Sequence, residues 1–403
     1  MAVRHIKALT LTLLLAACST GVKHDELSSS RSAAAGEEAL MDDASALEQG
    51  AALKAALDKS VGYLLKNQNP DGSWGHHLPW RPNDIMIGGF NTFHAFGSAS
   101  TALVCMGLLQ VDDSTEVRDA LARGFRSLIA AEDARRIDGR VFYNTWAHTY
   151  MVEAFAMGLQ DARLAELHGQ MRERCMRELD ALLKIQCLNG GWGYYDFGQR
   201  MFPPSGDIAT PFNTAAALVA MHAAREAGIS VPQKVIDGAF EFLRTCRVLN
   251  GAYLYSYGHI GSPTGMANNI RGSIGRSQSG NCAFGTWKRL LEEKDIRQGL
   301  DDFFTHHHYI ACGLHRQWPH EAFYATAPYY YLFGHHYAAC NIALVDKDAR
   351  PGYARRLGAI IAGIQEEDGS IWDYPLYGYT KAYGTGYGAG ILARCLKALN
   401  EGK

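Results

Sequence analysis

The feature that most limits how this chain can fold is a motif that recurs along it. "YLLKNQNPDGSW" carries Leu64, Gln68, Gly72 and Trp74; "ALLKIQCLNGGW" carries Leu182, Gln186, Gly190 and Trp192. A degenerate copy, "FLRTCRVLNGAY", has Arg247, Gly251 and Tyr253 at the matching places. "IAGIQEEDGSIW" has Gln365, Gly369 and, one residue late, Trp372. Weaker copies are "SLIAAEDARRIDGRVF" and "FFTHHHYIACGLHRQW". A repeat at this spacing means stacked supersecondary units rather than one irregular core.

Each copy ends an amphipathic helix, as Ala56, Val61, Leu64 and Leu65 show by their spacing. The Asn/Asp-Gly step then breaks the helix. After each turn comes a second helix rich in small residues, such as "FGSASTALVCMGLL", "PFNTAAALVAMHAA" and "GTGYGAGILARCLKAL". A helix that is small and apolar on every face is buried. Six such units, over 55–112, 117–161, 172–228, 234–293, 296–346 and 353–400, predict an all-α fold. Amphipathic outer helices surround buried inner ones in a six-unit α/α toroid.

The Gln-x3-Gly-x-Trp repeats resemble the QW motifs of squalene–hopene and oxidosqualene cyclases, whose fold protein prenyltransferase β subunits share. "YYYLFGHHYAA" and "WDYPLYGYTKAYGTGYG" are similar to bacterial squalene-cyclase-like repeat proteins. The resemblance implies that Gln68, Trp74, Gln186, Trp192, Gln365 and Trp372 are structural, tying outer helices to neighbouring turns. It implies no particular activity. The Asp-x-Asp-Asp acid of protonating cyclases is missing: Asp112-Asp113 and Asp301-Asp302 lack the preceding Asp. So are the Asp-x-Cys of zinc prenyltransferases and the Gly-Cys-x-Glu-Gln thioester of complement-like toroids. "HHHYIACGLH" spaces His308, Cys312 and His315 suggestively, but no paired ligand pattern supports a metal, and no metal or cofactor is expected.

The start of the chain reads as an address. Arg4, His5 and Lys7 precede the apolar run Ala8–Leu14, and Leu15-Ala16-Ala17-Cys18 resembles a bacterial lipobox. The expectation is a signal peptide over 1–17, lipidation at Cys18, a flexible tether over 18–50 with room for a short helix at its end, and the toroid over 51–403. The address is the cell envelope, at the periplasmic face of the outer membrane, with the membrane a partner through the anchor. The 39 basic and 41 acidic residues give a net charge of −2, without a long basic run, which argues against nucleic acid. Beyond Cys18 eight cysteines remain; Cys187 and Cys246 flank corresponding turns and are the one pair that could bridge.

The rim at the N-termini of the inner helices is where polar and aromatic residues gather. "FYNTWAHTYMVEAF" offers Trp146, His148 and Glu153. "YYYLFGHHYAAC" offers Tyr330, Tyr331, His335 and His336, of which one histidine should face the lumen and the other the wall. "WDYPLYGYTKAYGTGYG" offers Asp373, Tyr383 and Tyr387. Asn91, His94, Asp207, Asn213 and Arg276 complete the set, Arg276 within a long Gly/Ser/Asn segment, 255–281, that reads as a loop or lid. His148, His335 and His336 are candidates for proton transfer and Tyr383 for hydrogen-bond donation. The remaining residues are candidates for substrate binding in the lumen.

Three functions fit this pattern. The leading one is a lumen that binds or transforms a small apolar or isoprenoid-like ligand without protonation of the cyclase type. The second is a carbohydrate-active enzyme, which would need a pair of lumen carboxylates such as Glu153 with Asp207 or Asp373. The third is a non-catalytic scaffold.

Overall fold

The computed structural model describes residues 43–79, 91–134, 142–195, 208–320 and 323–401. Leu47–Lys403 forms one compact unit. Among the described residues there are helices and turns but no strands beyond isolated bridges. The outer helices are α1 (Asp43–Lys66), α3 (Thr115–Ala130), α5 (His168–Lys184), α7 (Gln233–Cys246), α9 (Glu293–Thr305) and α11 (Arg350–Gly363). The inner helices are α2 (Thr92–Leu108), α4 (Thr145–Gly158), α6 (Pro211–Glu226), α8 (Ile270–Thr286), α10 (Tyr330–Ile342) and α12 (Thr380–Asn400). The expected six-unit all-α toroid is the observed architecture. α1 begins inside the stretch assigned to the tether.

The two helix classes differ as their sequences require. α3 buries one face, Val117, Ala120, Leu121, Gly124, Phe125 and Leu128, and turns Arg118, Asp119, Arg123 and Arg126 to solvent. α4 and α10 bury almost every side chain. Each inner helix packs against both inner neighbours, and α12 packs against α2, so the ring closes. Small residues allow this. A Cβ on Gly107 of α2 would lie 2.4 Å from the Gly386 carbonyl of α12, and one on Gly334 of α10 would lie 2.6 Å from Gly275 Cα of α8.

The motif residues act between units. Gln68 Nε2 donates to its own turn at Gly72 O and to Ala120 O of α3, both at 2.9 Å. Gln186 Nε2 repeats this with Gly190 O and Val235 O. Trp74 and Trp192 each donate from Nε1 to the outer-helix carbonyl ten residues back, Leu64 O and Leu182 O, at 2.8 Å. Trp372, displaced by its extra residue, donates to Glu366 Oε1 instead.

One expectation changes. Part of the 255–281 segment read as a loop is helix: α8 starts at Ile270, capped by Asn269 Oδ1 accepting from Gly272 N. Its glycines and serines serve close packing in the ring rather than mobility; Gly275 faces Gly334. Cys187 and Cys246 are free thiols within one small buried cluster. No helix among the described residues is long and apolar enough to cross a membrane. Cys18 lies outside the described residues.

Candidate ligand site in the toroid lumen

Trp146 stands in the first turn of α4 and forms the centre of an aromatic collar. It stacks on Tyr150 one turn below, with ring centroids 5.5 Å apart, and meets Phe333 of α10 edge-on at 5.7 Å. α4 and α10 are on opposite sides of the ring, so aromatic side chains meet across the lumen. Phe212 of α6 fills the third side, 5.2 Å from Tyr330 and 6.4 Å from Trp146. Above it, the Tyr194 hydroxyl is 2.6 Å from that of Tyr330 and 3.0 Å from that of Tyr255. Arg276 stands beside the rings of Tyr255 and Tyr330, at 5.2 and 5.3 Å, and donates to Gly272 O and Ala267 O. Burial and the neighbouring phenols push the Tyr194 and Tyr330 hydroxyls well above the usual phenol range, so they remain neutral donors and acceptors.

Beneath the collar is a polar floor. The Tyr150 and Tyr387 hydroxyls are 2.5 Å apart. His336 packs against the ring of Tyr387 at 5.1 Å and that of Tyr337 at 4.9 Å. Glu153, one turn beyond Tyr150, is buried. Glu153 Oε2, His336 Nε2, Tyr337 OH and Arg394 Nε have no partner among the described protein atoms. Burial, reinforced by Cys340 and opposed by Arg394, pushes the Glu153 carboxyl up to about 8. Glu153 is therefore mainly a neutral acid at pH 7. Burial also lowers the His336 pKa, favouring the neutral imidazole. A narrow cleft of about 10 Å³ beside His336, Tyr387, Met157 and Arg394 has room for roughly one water.

The other candidates occupy the wall. His148 Nδ1 donates to Glu178 Oε2 of outer helix α5 at 2.6 Å. Arg174 holds the other oxygen of that carboxylate at 2.7 and 2.8 Å and donates to Ala131 O at 2.7 Å. Burial opposes ionisation of Glu178, but His148 and Arg174 outweigh it and hold the carboxyl below its ordinary range. His148 thus joins α4 to α5. His335 donates from Nδ1 to Tyr331 O at 2.6 Å, which leaves Nε2 to accept from His307 Nε2 at 2.9 Å. Burial and His307 push His335 down to about 3. His335 and Tyr331 are thus wall residues beside His307, and His336 is the floor residue.

Asp373 uses both oxygens in the wall. Oδ1 accepts from the Tyr383 hydroxyl at 2.6 Å and Oδ2 from Leu332 N at 2.9 Å, at the start of α10. Burial outweighs these bonds and raises its pKa to about 6. Asn213 donates to Thr210 Oγ1 at 2.8 Å, one turn into α6. His94 is exposed in the first turn of α2, and Asn91 precedes that helix. Asp207 lies outside the described residues. Of the spaced trio, Cys312 donates to Tyr309 O, His308 packs on Tyr309, and His315 stacks on Trp372.

The structure therefore brings together Trp146, Glu153, Tyr330, His336 and Tyr387. Sequence reading passed over Tyr150, Tyr194, Phe212, Phe333, Tyr337 and Arg394. A helical-stripe test finds three of them, Tyr150, Phe333 and Tyr337. Trp146, Tyr150 and Glu153 stand at i, i+4, i+7; Tyr330, Phe333 and Tyr337 at i, i+3, i+7.

No protein-family model matches the chain, and no curated protein matches it by sequence. Solved structures match its fold. A variant of the type II terpene cyclase MstE from Scytonema, in complex with its product merosterolic acid A, is 13% identical. The match covers 87% of this chain and 99% of that one at a TM-score of 0.52. A second MstE variant, in complex with its substrate geranylgeranyl dihydroxybenzoate, is 14% identical over 88% and 99% of the two chains, with a TM-score of 0.51. The cellobiose 2-epimerase of Spirochaeta thermophila is 14% identical over 88% and 98%, with a TM-score of 0.58. The chain shares the α/α toroid fold with these enzymes.

Proposed function

We propose that this chain is a cell-envelope lipoprotein, anchored through Cys18, whose lumen binds a small isoprenoid-like molecule carrying one polar head group by parting the aromatic collar of Trp146, Phe212 and Phe333, which fills the lumen in this structure. The observation that carries the reading is the set of orphaned buried atoms, Glu153 Oε2, His336 Nε2 and Tyr337 OH, beneath the collar of Trp146, Phe212 and Phe333. A buried polar atom without a partner costs about 1–3 kcal/mol, which a ligand hydroxyl or carbonyl would relieve. Aromatic faces suit an apolar body. Glu153, held protonated, donates to the head group; Tyr337 donates or accepts; neutral His336 accepts or passes on a proton. A carboxylic acid with a pKa of about 8 is far too weak to protonate an alkene, so the chemistry is binding or mild proton transfer.

A fold relative holding a geranylgeranyl substrate is consistent with this ligand class. The carbohydrate reading loses one of its carboxylates, because Asp373 spends both oxygens on Tyr383 and the start of α10.

The test is native mass spectrometry of protein purified from its own envelope, with solvent extraction, alongside a fluorescence titration with farnesol. A co-purified isoprenoid and a saturable signal that is lost in Trp146→Phe support the reading. No extracted lipid and no farnesol response would overturn it, in favour of a scaffold, or of carbohydrate binding if cellobiose gives the shift instead. For the anchor, Cys18→Ser should leave the processed protein in the soluble envelope fraction.

A further inference from the structure

Beneath the polar floor of the lumen lie two thiols. Cys340 stands on α10 one turn beyond His336, on the same face of the helix. Cys282 stands on α8, and its thiol hydrogen-bonds to that of Cys340. The two helices come this close because glycine occupies their crossing: a Cβ on Gly334 would lie 2.6 Å from Gly275 Cα. Further along, Asn341 Nδ2 donates to Gln278 O and Gln278 Oε1, both at 3.0 Å, and fixes the register.

The two thiols are not equivalent. Cys282 is buried, with Thr286 Oγ1 at 3.7 Å, whereas Cys340 is partly exposed. Burial pushes the thiols of Cys105, Cys175, Cys187, Cys246 and Cys395 up. Cys340 goes the other way. The hydrogen bond from Cys282 holds it well below the usual thiol range; burial opposes this, and Arg394 and His336 add to it. Cys282, the donor of that bond, is held well above the same range. A cysteine in an apolar core packs as a small hydrophobe. A thiolate beside a guanidinium, with a second thiol against it, has instead the arrangement of an attacking and a resolving cysteine.

We propose that Cys340 and Cys282 form a redox-active dithiol, a modification site that low-molecular-weight disulfides oxidise reversibly to a Cys282–Cys340 bond. The Cys340 thiolate attacks one sulfur of the small disulfide R–S–S–R, forms a Cys340–S–S–R bond and expels R–S⁻. Cys282 then attacks Cys340 Sγ, closes the Cys282–Cys340 bond and expels the second R–S⁻, which takes up the Cys282 proton. The protein gives up two electrons and the small disulfide gains them, leaving one R–S⁻ and one R–SH. Arg394 stabilises the attacking thiolate. The new bond joins α8 to α10 at the base of the lumen.

The test uses the intact chain carrying Cys312→Ser, which removes the exposed thiol. Reduced protein is incubated with hydroxyethyl disulfide, alkylated in denaturant and mapped by tryptic mass spectrometry. A loss of two free thiols, traced to a Cys282–Cys340 bond that dithiothreitol reverses, supports the site. Adding Cys282→Ser should halt the reaction at a mixed disulfide on Cys340, and adding Cys340→Ser should leave Cys282 unreacted. Both cysteines alkylated in the treated parent, a Cys187–Cys246 bond in their place, or a mixed disulfide that persists on Cys340 although Cys282 is present would each overturn it.

Discussion

Gln365 Nε2 donates to the Ala56 carbonyl at 2.8 Å, and this bond ties the last unit of the chain to the first. The same amide reaches Ser60 Oγ at 2.9 Å and its own turn at Gly369 O. Gln68 and Gln186 make the equivalent bond between consecutive units, but only Gln365 spans the two ends of the chain. Gln365→Ala is expected to destabilise the fold by about 1–3 kcal/mol, because it removes three hydrogen bonds at the seam between the two ends of the chain. Urea denaturation measures this; a change within about 0.5 kcal/mol, the range of surface substitutions, would show that the clasp is not structural.

Glu153 gives the protein a stability that declines toward alkaline pH. Its carboxyl lies at about 8 in the fold and near its usual value of 4.5 when unfolded. Between those values the folded state binds the extra proton, so stability falls as pH rises through the window and levels off above it. Glu153→Gln is expected to flatten this slope and to be more stable than the parent at pH 9. Melting temperatures from pH 5 to pH 9 test it; parallel curves for the two proteins would show that Glu153 is ionised in the fold.

The fold was legible because it is repeated: one motif, read several times, fixes turn, outer helix and inner helix together. The site was less so. A histidine in "TWAHTYMVE" has the same spelling whether it faces the lumen or the wall, and His148 faces the wall because Glu178 and Arg174, on another helix, form its partner. Asp373 likewise spends its oxygens on Tyr383 and Leu332 N, a pairing that depends on how units five and six stack. The glycines and serines of α8 spell a loop in isolation and a close-packed helix once Gly334 is opposite. What local sequence did carry was the aromatic stripe of α4, since Trp146, Tyr150 and Glu153 share one helical face.

The wall triad responds in the opposite direction to Glu153. Glu178 is held below its ordinary pKa, so it contributes stability that is present above about 4.5 and lost as pH falls through the lower folded value. Glu178→Gln is expected to cost about 3 kcal/mol at pH 7, since it removes the buried carboxylate from Arg174 and leaves that guanidinium only the longer contact to the exposed Asp133 at 3.6 Å. It should also remove the part of the acid-side loss that Glu178 supplies. His148→Ala should lower stability with little effect on farnesol binding. A fall in affinity without a fall in stability would instead place His148 in the lumen.

Gly190 and Gly251 allow backbone conformation and close approach to be separated. Both have φ of +88°, so alanine at either costs about 1–2 kcal/mol for left-handed backbone. At Gly190 the new Cβ would also lie 2.3 Å from the Gly238 carbonyl of α7, whereas at Gly251 its nearest neighbour is 3.7 Å away. Gly190→Ala must therefore push α7 outward and is expected to cost at least ~2 kcal/mol more than Gly251→Ala. Paired urea melts measure the difference. Equal losses would mean that the turn of unit four is pressed against α9 as tightly as its siblings are against theirs. The cavity of about 190 Å³ between that turn and α9, lined by Arg247, Gly251 and Gly299, would then be closed in solution.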